Sequence, residues 1–169
     1  MEKFLKTDVE KINGNSFDMI GREWMLVTAV DERGGYNTMT ASWGGLGVLW
    51  GKNVAFVFIR PQRYTAEFAD SGDTVTLSFF PEEYRSALSF CGSHSGRDYD
   101  KAKETGLTPI ATDSGAVTFR EAKLVLEGKK LYRDVLKKES FISSEALSHY
   151  KAEDYHYVYV YEITDAYLK

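Results

Sequence analysis

Two segments of this 169-residue chain are apolar on both faces, and few folds bury both faces of one strand. They are Glu23–Val30 and Asn53–Ile59. Each has to lie inside a sheet that is covered on both sides. A third segment, Thr74–Phe79, alternates cleanly, with Val75, Leu77 and Phe79 inward and Thr74, Thr76 and Ser78 outward. The polar turn Asp31-Glu32-Arg33-Gly34-Gly35 sets the strand Tyr36–Trp43 at hairpin distance from the first one. Strands come in sequence-adjacent runs with helices inserted between them. That pattern predicts a mainly β barrel or sandwich with flanking helices, not a βαβ sheet.

The remaining elements follow from local chemistry. Thr65 is placed to cap a helix over Ala66–Ala69. Pro81-Glu82-Glu83 opens a second helix with face Tyr84, Ala87, Leu88 and Cys91, and Gly92 is expected to end it. Asp98 is expected to cap a short helix that Gly106 closes, and Ser143 or Ser144 another that runs to Tyr150. Strands are predicted at 116–119 and 122–136, with Gly128 at a bulge. The last strand, 155–163, sets Tyr155, Tyr157, Tyr159 and Tyr161 on one face. Such a stripe suits either the underside of a helix or a subunit interface.

Length predicts one domain over 1–169, with no linker, repeat or low-complexity segment. The single cysteine, Cys91, excludes an intrachain disulfide and a Cys-cluster metal site. Three scattered histidines offer no metal spacing. Net charge −4 argues against nucleic acid. Met1–Asp8 lacks the apolar core of a signal peptide and no run is long enough to span a membrane, so a cytoplasmic location is expected. Aromatic residues make up 14% of the chain, enough to suggest a barrel core or a large interface.

The chemistry concentrates between Tyr36 and Thr65. Thr38, Thr40 and Ser42 lie on one face of their strand. Arg60 and Arg63 flank Pro61 at the end of the next strand, just before Thr65. Two guanidinium forks, hydroxyls and helix amides together suit an anion such as a phosphate. The glycine-rich connection Gly44–Asn53 reads as a bend between strands. It fails as a P-loop, because Leu46 stands where the first glycine belongs and Asn53 where the hydroxyl belongs. It fails as a dinucleotide fingerprint, because Trp50 replaces the third glycine and no helix follows. Cys91 on an apolar helix face reads as buried and inert, His156 as a packing residue, and His149 as solvated.

Three ordered motifs carry a resemblance over roughly residues 15–165. They are Asn37-x-Met39-Thr40-Ala41-Ser42-Trp43, Arg60-Pro61-x-Arg63-Tyr64-Thr65 and Cys91-Gly92-x-x-Ser95-Gly96-Arg97-Asp98-x-Asp100-Lys101. In this order and spacing they resemble the flavin reductase-like FMN-binding split-barrel proteins, flavoredoxin among them. The resemblance implies a Greek-key split barrel, usually a homodimer, with FMN near the subunit interface. Met39, Thr40, Ala41 and Ser42 would lie along the flavin ring and ribityl chain. Arg60, Arg63 and Thr65 would hold the phosphate with Tyr64 nearby, and the Ser95-Gly96 loop would close over the ring. His156 matches a histidine near the flavin in relatives. Tyr159-Val160-Tyr161 departs from the family, replacing a commoner glycine. The implied activity is NAD(P)H-dependent reduction of flavin or of a small acceptor, with Trp43 or a partner tyrosine as lid over a second ring. The alternative is an FMN electron carrier with no nicotinamide activity of its own. In either case the flavin carries the electrons and no side-chain nucleophile is required.

Overall fold

The computed structural model describes residues 4–169; residues 1–3, part of the polar amino-terminal stretch, lie outside it. Among the described residues there are ten strands: β1 (Leu5–Thr7), β2 (Met25–Val30), β3 (Tyr36–Ala41), β4 (Gly44–Leu49), β5 (Lys52–Ile59), β6 (Thr74–Phe79), β7 (Pro109–Ala111), β8 (Val117–Phe119), β9 (Leu124–Val135) and β10 (Tyr157–Leu168). The α-helices are α1 (Ser16–Asp18), α2 (Thr65–Ser71), α3 (Arg85–Ser93), α4 (Lys101–Thr105) and α5 (Ser144–Leu147). No described helix is long and apolar enough to cross a membrane.

The main sheet runs β3-β2-β6-β9-β10-β5-β4, and β1 extends the β5 side of β10. Each of its pairings is antiparallel. Its two edge strands, β3 and β4, are consecutive in the chain and only Ser42 and Trp43 separate them. A two-residue link cannot cross an open sheet seven strands wide, since each strand adds about 4.8 Å. The sheet therefore curls until its edges meet at Ser42–Trp43, without hydrogen bonding to each other. The result is an open, split barrel, as the sequence predicts.

Gly44 makes that approach tight. A Cβ there would lie 3.0 Å from the Phe56 carbonyl oxygen and 3.3 Å from Met25 Cε. The segment expected to be a bend is instead strand β4, paired with β5 from Gly44↔Val57 to Leu49↔Lys52. Its glycines hid a weak strand propensity that the buried partner β5 overrides.

Side chains fill both faces of the sheet. Inside lie Met25, Val27, Val57, Ile59, Leu77, Phe79 and Leu126, with Ala66 and Ala69 of α2 closing one end. Outside, Leu26, Leu88, Cys91, Phe119 and Val125 join under α3, α4 and the β7-β8 hairpin. β2 is thus buried on both faces, as its composition requires. Thr76 and Ser78 of β6 face outward but are buried too. Their hydroxyls meet the Val117 carbonyl at 2.6 Å and Thr118 Oγ1 at 2.8 Å.

Two of the four tyrosines of the stripe belong to the core. Tyr159 and Tyr161 are fully buried inside the barrel of this one chain. Tyr159 Oη donates to Asp70 Oδ1 at 2.7 Å, and Arg133 stacks over Tyr157 at 4.0 Å. The inward face of β10 points at the core, so this side of the strand is spent on folding. Gly128 stands next to irregular register and not on the bulged residue. Leu131 is the extra residue on β9 and Thr164 the extra one on β10. A Cβ at Gly128 would lie 2.9 Å from Tyr161 Cβ, so its bareness makes room for that ring.

Candidate functional site

The cleft is built where the barrel splits. One arm, about 340 Å³, is lined by Asn37, Met39, Arg60, Arg63, Tyr64, Thr65, the Ser93–Gly96 loop and Lys101. A second arm, about 170 Å³, is lined by Met39–Trp43, Phe58, Arg60, Arg63 and His156. The arms share Met39, Arg60 and Arg63. Every residue that the resemblance assigns to the flavin lines one arm or the other: Met39, Thr40, Ala41, Ser42 and His156 the second, Tyr64, Thr65, Ser95 and Gly96 the first, and Arg60 and Arg63 both.

Their individual jobs differ from expectation. Thr65 does not cap α2. The cap position is Tyr64, and Thr65 is the fully buried first helical residue. Its Oγ1 accepts from Asn37 Nδ2 at 2.8 Å, which locks β3 to α2. The early amides of that helix are also spent, Ala66 N donating to the Arg63 carbonyl and Glu67 N to the Tyr64 carbonyl. The Thr40 hydroxyl is likewise committed, donating to the Leu88 carbonyl of α3. The Thr38 and Thr40 hydroxyls are therefore committed within the protein, and Ser42 is the member of the row whose hydroxyl faces the cleft without a partner among the described residues.

The two arginines separate. Arg60 is neutralised: Nη1 pairs with Asp154, and Nη2 donates to the His149 carbonyl at 3.0 Å. It ties down the 149–154 segment. Arg63 has no carboxylate partner among the described residues, and one Nη1–H reaches the Gly92 carbonyl at 2.5 Å. Burial, and then the nearby Arg60, lower its pKa.

Lys101 is the residue that sequence reading passed over. It looks like one more charge on a short helix, yet it is only 6% exposed. Asp100, not Asp98, caps α4 through Lys103 N at 3.2 Å, which turns the Lys101 side chain inward. Its Nζ donates to the Thr38 and Cys91 carbonyls, both at 2.8 Å. An ammonium has three N–H donors, so one remains for the cleft. Burial pulls its pKa down to about 8, with Arg63 adding to the effect and Cys91 opposing it. Burial also pushes the Cys91 thiol up to about 11, and an un-ionised thiol of that kind is no nucleophile.

Glycines set the clearances. Gly92 does not end α3, which runs to Ser93. A Cβ on it would lie 3.2 Å from Thr40 Cβ, so its bareness lets α3 approach β3. A Cβ on Gly96 would fall 1.9 Å from Asn37 Oδ1. The loop carrying it is latched by Arg97, which pairs with Glu67 and stacks over Tyr64 at 4.5 Å.

This donor set fits a dianionic phosphate ester. It holds two cations, Arg63 and Lys101, that are at least partly buried and have no carboxylate partner among the described residues, beside an arm with Trp43 and Phe58 in its wall. Buried charge without a partner is costly, and an anion relieves it.

Solved structures of low sequence identity share the fold. Flavoredoxin of Desulfovibrio vulgaris (Miyazaki F) superposes with a TM-score of 0.69 at 19% identity, over 98% of this chain and 77% of its own. Flavoredoxin from Methanosarcina acetivorans gives 0.67 at 22% identity, over 96% and 76%. The FMN-binding protein from Thermus thermophilus, solved with 1-cyclohex-2-enone, gives 0.65 at 20% identity, over 95% and 79%. No curated protein sequence matches the chain significantly. The profile of the flavin reductase like domain matches residues 17–169, and the chain belongs to that family.

Proposed function

We propose that this chain binds FMN and is an NAD(P)H-dependent oxidoreductase reducing flavin or a small acceptor. The observation that carries the reading is the pair Arg63 and Lys101, cations without carboxylate partners among the described residues, at one end of a cleft whose other arm is walled by Trp43 and Phe58. Arg63 and Lys101 hold the phosphate, and the edge of β3 from Met39 to Ser42 lies along the ring and its polyol chain. Ser95 and Gly96 cover it from the loop side, and Tyr64 is held beside it by Arg97. The bound flavin supplies the electron chemistry. The chain orients it and, at the Trp43 side, limits water and leaves room for a second flat ring.

Exposed apolar side chains on and next to β4 support a homodimer. Trp43, which lines the cleft, is 47% exposed, Val48 71% and Trp50 59%. Sedimentation velocity should give twice the 19.2 kDa chain mass; a monomer at micromolar concentration would remove this part of the reading.

The pKa of Lys101 makes affinity depend on pH. The free protein loses the Lys101 proton as pH rises through about 8, whereas phosphate holds that proton in the complex. Affinity should therefore fall as pH rises. The loss expected from pH 7 to pH 9 is about tenfold, and Lys101→Met should flatten it. A titration by flavin fluorescence measures both, and a wild-type affinity independent of pH would count against the assignment of Lys101.

Anaerobic addition of NADH, then NADPH, to the flavin-loaded protein tests the reductase activity. Bleaching of the visible band within seconds is the expected result. A band indifferent to both donors would make the chain an electron carrier reduced by another protein.

A further inference from the structure

The end of the barrel away from the flavin cleft holds a second cavity, of about 280 Å³. It shares no lining residue with either arm of the cleft. Asn53 lies in its wall and Phe58 in the wall of the cleft, so the two sites stand about 17 Å apart along β5. Leu46 of β4, Leu126 of β9 and Ile163 of β10 form its sides. Val9, Ile12 and Met19 of the amino-terminal segment complete the apolar lining. An apolar cavity of about 150 Å³ already admits benzene, so this one has room for a ring and a substituent.

The polar side chains in the wall are Glu10, Ser16 and Asn53. Asn53 Nδ2 donates to Glu10 Oε1 at 3.2 Å, which leaves Glu10 Oε2 without a partner among the described residues. The Asn53 amide oxygen and the Ser16 hydroxyl can accept as well. Glu10 is exposed and pairs with no cation among the described residues. Lys52, its neighbour through Asn53, is held by Glu162 at 2.7 Å. The place of Glu10 is itself fixed. Asp8 Oδ1 accepts from its amide at 3.0 Å and caps the single 3₁₀ turn Val9–Lys11. A negative, acceptor-rich rim over an apolar chamber complements a cation carried on an apolar body.

We propose that this cavity is a binding site for a small primary amine. The ammonium meets Glu10, and an aromatic or alicyclic ring lies against Met19, Leu126 and Ile163. A carboxylate ligand is repelled by Glu10, and a neutral ring forgoes the ion pair. The site rests on no part of the flavin reading, since none of its walls belongs to the cleft.

The probe is 4-fluorobenzylamine, with 4-fluorobenzyl alcohol as its uncharged counterpart. Methyl-¹³C labelling of methionine reports where they bind, because Met19 lines this cavity and Met39 lines the flavin cleft. At pH 7 the amine should shift the Met19 methyl signal saturably and leave Met39 in place, and added FMN should leave the amine affinity unchanged. By ¹⁹F NMR the amine should bind about tenfold more tightly than the alcohol, the effect of one charge-assisted contact. Glu10→Gln changes an exposed residue, keeps its shape and should erase that preference. Leu46→Trp should fill the chamber and abolish binding of both probes. An amine preference that survives Glu10→Gln overturns the proposal, as do shifts at Met39 in place of Met19. So does the lack of a saturable Met19 shift in the millimolar range, the result expected if a second copy of the chain seated at Val48 fills the mouth. A protein that takes the amine at Met19 but binds no FMN would lose the flavin reading alone.

Discussion

The double variant Arg63→Ala, Lys101→Met is expected to weaken FMN binding by about a thousandfold, because each charge-assisted contact contributes roughly 1.5–3 kcal/mol. Either single variant should lose about one to two powers of ten, and the two effects should not add fully since both act on one phosphate. Arg60→Ala should do far less directly, because its charge is already matched by Asp154. Its main effect should be to loosen the 149–154 segment. Fluorescence-quenching titrations order the variants. A double variant within about tenfold of the wild type would leave the phosphate without its proposed holders. The fold is expected to survive, since neither residue belongs to either apolar cluster.

Gly72→Ala is the second large effect, and it acts on stability. Gly72 follows α2, and its amide closes the helix onto the Phe68 carbonyl at 2.9 Å. Its backbone is extended, so no unusual torsion is involved. The problem is space. A Cβ would lie 1.7 Å from the Val30 carbonyl oxygen and 2.9 Å from its carbon, both backbone atoms at the end of β2. Neither can rotate away, so α2 would have to shift off the β2-β3 hairpin. Lys130 braces the same corner, donating to the Gly72 carbonyl at 2.6 Å and the Ala69 carbonyl at 2.7 Å. Overpacking against fixed backbone costs about 3 kcal/mol. For a chain of this size that lowers Tm by roughly 6–12 °C. Calorimetry decides; a drop below about 2 °C would mean that the helix end yields more easily than the geometry allows. Since α2 carries Thr65 into the cleft, flavin affinity should fall with it.

Much of the fold could be read directly. β2, β5 and β6 declare themselves through apolar content on one or both faces, and the antiparallel class follows from their short turns. β4 could not be read, because Gly44, Gly45 and Gly47 carry no strand signal and take their conformation from the β5 edge. The tyrosine stripe was ambiguous for a similar reason. Alternation shows that Tyr159 and Tyr161 share a face, but only the curl of the sheet decides that this face is the interior.

The site was legible as a set of positions and less so as a set of roles. Motif spacing picked out residues that the fold places along one cleft. It could not show that Asp154, 94 residues away in sequence, cancels Arg60, nor that α3 claims the Thr40 hydroxyl. Lys101 was hidden because helix charges are usually solvated. Only the packing of α4 beside α3 and β3 makes it a buried cation. The one available signal was its place at the end of the Ser95–Lys101 motif.

The central claim is that this cleft is a phosphate-anchored flavin site. Comparing FMN with riboflavin tests it most directly, because the two ligands differ only by the phosphate. The account predicts that FMN binds at least about a hundredfold more tightly at pH 7, and that the difference largely disappears in Arg63→Ala, Lys101→Met. Equal affinity of the wild type for both ligands, or failure to bind either, would contradict it.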